Sequence, residues 1–178
     1  MRKNTLIVNL FGGPGLGKST IMAHIFAELK WKKYDVEMAT EYAKEEVWAG
    51  STHLLENQYF VSAEQYKRII RLNGKLDIVI TDSPLPLGII YGHNEPEEFK
   101  FLILKYFNKF NNFNILLERK KEYNPNGRMQ TEDDAKLKDK EIRDLLLLHN
   151  IPFRIMEAKR ENIPAIIEAI ENIKESKI

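Results

Sequence analysis

The sequence has 178 residues, of which 43% are hydrophobic and 30% are charged, and its formal net charge is +1 at pH 7. This composition and length predict one globular domain over residues 1–178, and the absence of cysteine excludes disulfides and thiolate chemistry. No apolar run reaches the roughly 18 residues that a membrane span needs, and the N-terminus lacks a signal-peptide pattern, so we expect a cytoplasmic protein without a membrane partner. The small net charge gives no general attraction to nucleic acid, although it allows a local basic patch.

The first half of the chain alternates short apolar strands with longer helices. Residues 5–11 form an apolar run with β-branched residues, which predicts a strand buried on both faces. A glycine-rich turn follows, and then an amphipathic helix from residue 17 to about 30. The next predicted elements are a strand at 36–40, a helix at 41–48, and a long helix from about 52 to 73 with Leu55, Tyr59, Ala63, Tyr66 and Ile70 on one face.

The second half continues the alternation. A third strand is predicted at 76–81, followed by a compact apolar segment to Tyr91 and a helix at about 96–110. A fourth strand at 113–117 leads into a polar segment at 120–130 and a helix from the N-cap Thr131 to about His149. A fifth strand at 153–156 and a last helix from about 163 complete the pattern. Strands that alternate with helices predict an α/β fold with a parallel sheet and helices on both faces. Ligands of such sheets bind at the carboxyl ends of the strands.

Four polar positions follow four of these strands, at residues 12–20, Glu41, Asp82 and Arg119. We therefore expect them to meet in one crevice, although they lie far apart in the sequence.

Residues 12–20 match the P-loop pattern Gly-x₄-Gly-Lys-Ser between a predicted strand and a predicted helix. Backbone N–H groups of such a loop surround phosphate oxygens, and the N-terminus of the following helix adds partial positive charge. Lys18 is expected to contact the β- and γ-phosphates, and the Ser19 hydroxyl to ligate Mg²⁺. The predicted phosphate-binding residues are Gly12, Gly13, Pro14, Gly15, Leu16, Gly17, Lys18, Ser19 and Thr20.

Two acidic residues follow the second and third strands. Asp82 ends the run Ile-Val-Ile-Thr, as a Walker B acid does, and is expected to hold Mg²⁺ directly or through water; otherwise it caps the following turn. Glu41 is expected to accept the proton of an attacking hydroxyl or to orient it; otherwise it only starts a helix. Because no arginine lies closer to Glu41 in sequence than Arg68 and Arg71, a hydroxyl acceptor is favoured over a monophosphate.

Residues 119–130 form a basic segment that we interpret as a lid. Transfer of a phosphoryl group needs positive charge near the γ-phosphate and exclusion of water, and an arginine-bearing lid supplies both. Arg119 and Arg128 are the expected catalytic residues of this lid, and an ordinary solvated charge run is the alternative.

The chain resembles the P-loop AAA-type kinase and ATPase family that includes the bacterial ribosylnicotinamide kinase domain and related phage nucleoside or nucleotide kinase-like proteins. The features that carry the resemblance are the P-loop, the stretch Glu41-Tyr42-Ala43-Lys44-Glu45, Gln65, Asp82, and a lid with Arg119 and Arg128. The resemblance implies a three-layer fold with a five-stranded parallel sheet of order 2-3-1-4-5. It also implies binding of ATP and Mg²⁺ and a nucleoside-like acceptor, to which we assign Tyr42, Lys44 and Gln65.

The sequence leaves several functions open. The leading hypothesis is a kinase that phosphorylates a hydroxyl of a nucleoside-like molecule. The alternatives are a nucleoside-monophosphate kinase, a kinase acting on a modified base or an end in DNA, and a regulatory ATPase or GTPase acting on a partner protein. The absence of an Asn/Thr-Lys-x-Asp guanine-reading motif favours ATP over GTP.

Overall fold

The protein is described from a computed structural model, which covers residues 3–119 and 132–175. Five strands form one parallel sheet in the order β2-β3-β1-β4-β5. The strands are β1 (Leu6–Phe11), β2 (Val36–Ala39), β3 (Ile78–Thr81), β4 (Asn111–Glu118) and β5 (Arg154–Glu157). The predicted α/β fold and its strand order are confirmed.

Helices cover both faces of the sheet. They are α1 (Lys18–Trp31), α2 (Tyr42–Ala49), α3 (Gln58–Ile70), α4 (Leu87–Tyr91), α5 (Glu97–Phe107), α6 (Glu132–Leu148) and α7 (Ile163–Glu175), with 3₁₀ turns at Thr52–Glu56 and Arg160–Asn162. None of these helices, within the ranges the structure describes, is long and apolar enough to cross a membrane.

The alternation of side chains along β1 divides the core into two layers. Leu6, Val8 and Leu10 pack with apolar residues of α1 and α7 on one face. Ile7 and Phe11 pack with residues of α3, α4, α5 and α6 on the other face. Since every residue of β1 is buried, the strand end that begins the P-loop is fixed from both sides.

The fourth strand begins two residues before the predicted start because asparagines pair across the sheet. The buried Asn9 of β1 donates through Nδ2 to Oδ1 of Asn112 and of Asn114, at 2.9 Å each. Asn114 in turn donates to the carbonyl oxygen of Pro152, at 2.9 Å. Buried amides are stabilised only when they are paired, so this network extends β4 through residues that an apolar pattern leaves out.

The long helix predicted at about 52–73 is interrupted, and this prediction is wrong in two respects. Asn57 caps a new helix, with its Oδ1 accepting the backbone N–H of Phe60 at 2.9 Å, so a 3₁₀ turn and α3 replace one helix. The buried face of α3 carries Ser62, Gln65 and Ile69. Tyr59 belongs to the predicted apolar face but is 57% exposed. The buried face is partly polar because it borders the cavity described below.

Candidate functional site

The P-loop connects the end of β1 to the start of α1. Gly15 and Gly17 have φ angles of 78° and 85°, a left-handed conformation that glycine adopts without steric strain. Gly17 is the N-cap of α1 and provides no side-chain hydrogen bond to the helix. The first N–H groups of α1 therefore stay available to an anion, as the sequence pattern predicts.

Lys18 lies across the loop rather than away from it. Its Nζ donates to the carbonyl oxygens of Gly12 and Gly13, at 2.7 and 2.9 Å. An ammonium group has three donors, so these two bonds hold the lysine in place and leave a third donor for a phosphate oxygen. Burial lowers the pKa of Lys18, and the carboxylates of Glu41 and Asp82 oppose that shift.

A carboxylate from α6 contacts the P-loop on its other side. Oδ1 of Asp139 accepts the backbone N–H of Gly13 at 2.6 Å, and Oδ2 accepts Nε of Arg119 at 3.0 Å. Arg119, directly after β4, also donates from Nη2 to the carbonyl oxygen of Pro14 at 2.8 Å. The side chain of Arg119 is only 11% exposed. The arginine expected to act from a lid is thus held against the P-loop.

Replacing Gly13 by Ala is expected to weaken both the fold and nucleotide binding. A Cβ there would lie 2.6 Å from Asp139 Oδ1 and 3.0 Å from the Ala135 carbonyl oxygen, so the Asp139 side chain would have to turn away from the loop and α6 would have to yield slightly. We expect a loss of about 1–3 kcal/mol in the free energy of unfolding, measured in urea. The affinity for Mg-ATP should fall at least about tenfold as the loop moves.

The matched control is Gly50→Ala, at the C-terminus of α2. Gly50 has a φ angle of 74° but open space around its Cα, so alanine there should cost only about 1–2 kcal/mol of backbone strain. Nucleotide affinity should stay unchanged in this control. Equal affinity in wild type and Gly13→Ala would refute a close contact between α6 and the loop.

Two carboxyl groups face the same site from neighbouring strand ends. Asp82, after β3, is 4% exposed, and its Oδ1 has no hydrogen-bond partner among the described residues. Glu41 is the N-cap of α2 but makes no side-chain capping bond. Burial raises the pKa of both carboxyl groups, and the Lys18 ammonium opposes the shift in each case. The strand ends therefore bring Lys18, Glu41 and Asp82 together as predicted.

A cavity of about 330 Å³ opens beside these three residues. Its walls come from the P-loop, the start of α2, helix α3, the segment after Asp82 and helix α4. Ser62 is a buried wall residue whose hydroxyl has no partner among the described residues. Tyr91 closes another side, and burial together with the Glu41 carboxylate raises its pKa to about 12. The cavity is large enough for a small molecule and has polar groups at the P-loop end.

The residues assigned to the acceptor lie in three different environments. Gln65 is on the cavity wall, but its Oε1 accepts the backbone N–H of Tyr42 at 3.0 Å and its Nε2 donates to Thr81 Oγ1 at 3.4 Å. The ring of Tyr42 is buried against Phe60, outside the cavity lining. Lys44 is exposed and is also absent from the lining. Only Gln65 therefore borders the cavity, where it supports the start of α2.

The other assigned residues divide between the described and undescribed parts of the chain. Ser19 lies in the first turn of α1, as predicted. Arg128, Thr131 and the predicted lid beyond Arg119 lie outside the described residues. Sequence reasoning missed Ser62, Tyr91 and Asp139. Asp139 gave no recognisable signal, because it is one of several acidic residues on α6.

Comparison with known proteins agrees with the fold. A family model described as "AAA domain" matches residues 7–162, which is most of the chain. No functionally curated protein matches the sequence. Among solved structures, the chain is similar to the crystal structure of NadR protein in complex with NR, with a TM-score of 0.65 and 17% identity.

The similarity to NadR covers 93% of this chain and 51% of the NadR chain, so this chain spans about half the length of that protein. At 17% identity the likeness shows a shared fold, and a fold by itself does not select a reaction. The family match is stronger evidence of relationship, since it extends over most of the sequence and includes the P-loop. The chain belongs to the AAA-domain family of P-loop proteins.

Proposed function

We propose that the protein is an ATP- and Mg²⁺-dependent phosphotransferase that moves the γ-phosphate of ATP to a hydroxyl group of a nucleoside-like molecule. The observation that carries the proposal is the cavity that places Glu41 and Asp82 beside the P-loop Lys18. Hydrolysis needs only a water molecule next to the γ-phosphate. A walled cavity at that position suits a second substrate better.

Three side chains at the P-loop end, those of Lys18, Ser19 and Asp82, are assigned to the donor site. Lys18 and the N-terminus of α1 bind phosphate oxygens, and Ser19 and Asp82 are the expected Mg²⁺ ligands. The orphaned Oδ1 of Asp82 fits this assignment, because a buried carboxylate oxygen needs a cation or a hydrogen-bond donor. When bound, Mg²⁺ neutralises charge on the β- and γ-phosphates.

In the proposed transfer, the acceptor hydroxyl oxygen forms a bond to the γ-phosphorus while the bond from that phosphorus to the β,γ-bridging oxygen breaks. The hydroxyl proton goes to the Glu41 carboxylate, and ADP leaves with the bridging oxygen. Lys18 stays on the phosphate side and balances the charge that develops on the transferred group. Tyr91 carries its proton at neutral pH, as any tyrosine with a pKa of 10 or above does, so its hydroxyl can donate to the acceptor.

The charges around the cavity support a hydroxyl acceptor over a phosphate acceptor. Lys18 is the only cationic side chain among the cavity-lining residues that the structure describes. Arg68 lies instead over the ring of Tyr42, 5.0 Å from its centroid, and pairs with Glu45. The lid with Arg128 stays part of this proposal. The acceptor role of Tyr42 and Lys44 also stays part of it, and α2 would have to move for these two side chains to reach the cavity.

The deciding experiment incubates the protein with γ-labelled ATP and Mg²⁺ against separate panels of nucleosides, nucleoside monophosphates and oligonucleotides. We expect label to appear in a nucleoside-like compound and ADP to form in equal amount. Label in a monophosphate would replace the proposal by a nucleoside-monophosphate kinase. Slow release of inorganic phosphate that no acceptor stimulates would replace it by a regulatory ATPase.

A further inference from the structure

We propose that Asp139 is a positioning residue of the nucleotide site and that Arg119 acts there as the counter-ion of Asp139. In this view Arg119 does not contact the transferred phosphoryl group. The proposal concerns nucleotide binding at the P-loop, so it goes beyond the proposed transfer reaction and stands whichever acceptor is used.

The first argument is the engagement of the Asp139 carboxylate. One oxygen accepts the N–H of Gly13, and the other accepts Nε of Arg119. Gly13 has no room for a side chain on this side, because a Cβ would lie 2.6 Å from Asp139 Oδ1. The carboxylate thus fixes the second residue of the loop through a charge-assisted hydrogen bond.

The second argument is electrostatic. A carboxylate held against the P-loop repels the phosphates that the loop binds, and its side chain is only 24% exposed, so water screens it incompletely. Arg119 places a guanidinium directly on that carboxylate and adds a bond to the Pro14 carbonyl oxygen. The pair therefore holds the loop without leaving a net negative charge beside it. The charges of both partners also reach the Lys18 ammonium, with opposite effects on its pKa.

The third argument is the place of the two residues in the chain. Arg119 immediately precedes residues 120–131, and Asp139 lies in α6, which follows them. Their ion pair joins the end of β4 to α6 at the P-loop. Arg119 is thereby held against the loop by a carboxylate from a distant part of the chain.

The test is a double-mutant cycle on nucleotide affinity, with Arg119→Gln, Asp139→Asn and the double variant measured by calorimetry with Mg-ATP and Mg-ADP. Arg119→Gln removes the guanidinium charge that faces the Asp139 carboxylate beside the phosphates, and we expect at least a tenfold loss of affinity, on the order expected for juxtaposed like charges. The loss should be larger for Mg-ATP than for Mg-ADP, since the repulsion grows with ligand charge.

Asp139→Asn keeps an oxygen for the Gly13 N–H and removes the negative charge beside the phosphates, so we expect tighter binding, with a larger gain for Mg-ATP than for Mg-ADP. The double variant should recover to within about threefold of the wild type, because neither charge remains. A double variant as weak as Arg119→Gln would overturn the proposal and assign Arg119 to direct phosphate contact.

Two further measurements separate positioning from a simple loss of structure. Arg119→Lys keeps the positive charge and should bind Mg-ATP better than Arg119→Gln. Thermal unfolding without nucleotide reports whether each variant folds, and a difference between the losses of Mg-ATP and Mg-ADP affinity in a folded variant is then assigned to the site. Equal losses of Mg-ATP and Mg-ADP affinity, with no rescue by lysine, would refute the counter-ion role. Because no acceptor is present, failure of the proposed transfer reaction would leave this result unaffected.

Discussion

Replacing Glu41 by Gln is expected to lower phosphoryl transfer about 10²–10⁴-fold while leaving the affinity for Mg-ATP within about threefold of the wild type. Glu41 lines the acceptor cavity beside Lys18, and its side chain does not cap α2, so glutamine can occupy the same position. What the substitution removes is a carboxylate that accepts a proton. Turnover is measured with labelled ATP and the acceptor found in the panel, and nucleotide affinity by calorimetry.

The pH profile gives this prediction a second readout. Burial raises the pKa of the Glu41 carboxyl above its usual value of 4.5, and a base works only when it is ionised. Transfer by the wild type should therefore fall as the pH is lowered through that raised pKa. The part of the acidic limb that belongs to Glu41 should be absent from the residual activity of Glu41→Gln, while the part that belongs to the buried Asp82 carboxyl should stay.

Glu56→Gln provides the matched control. Glu56 is an exposed carboxylate in the 3₁₀ turn before α3, outside the cavity lining, and its substitution should leave turnover and affinity unchanged. If Glu41→Gln also kept full turnover, the carboxylate would have no part in proton transfer. A parallel loss of Mg-ATP affinity would move Glu41 to the donor site.

Much of the fold follows from local sequence patterns. The apolar runs predict the five strands, and the P-loop pattern identifies the first strand end and α1. Once parallel strands are accepted, Glu41 and Asp82 must lie at the same edge as Lys18, because each directly follows a strand. The strand order, in contrast, came from the family resemblance, since periodicity does not determine which strands are neighbours.

The features that were not predicted depend on contacts between distant segments. Asn57 can be recognised as the capping residue that interrupts the predicted helix only when α3 is known to start there. Ser62 and Gln65 are buried because α3 borders a cavity, which a rule of apolar burial does not anticipate. Asp139 meets Gly13 across 126 positions of sequence, and nothing near either residue indicates the contact.

Asp82→Asn is expected to make the protein more stable and much less active. Burial raises the pKa of the Asp82 carboxyl above its usual value of 3.8, so the folded state binds a proton more readily than the unfolded state. Ionisation at neutral pH therefore destabilises the fold, and an uncharged amide should raise the free energy of unfolding by about 0.5–2 kcal/mol at pH 7. That gain should disappear as the pH falls below 3.8, where the aspartic acid is neutral in both states.

The same change removes an expected Mg²⁺ ligand, so turnover should fall at least about 10²-fold and the Mg²⁺ concentration for half-maximal rate should rise.

The matched control is Asp77→Asn, just before the other end of β3. Asp77 accepts the backbone N–H of Asp35 at 3.1 Å and pairs with Lys3 at 3.3 Å, so this variant should lose about 0.2–1 kcal/mol of stability and keep its turnover. If Asp82 is a buried carboxylate that serves metal binding, its replacement should raise stability and lower turnover. If Asp82→Asn lost stability and kept its turnover, Asp82 would serve the turn after β3 instead of the metal.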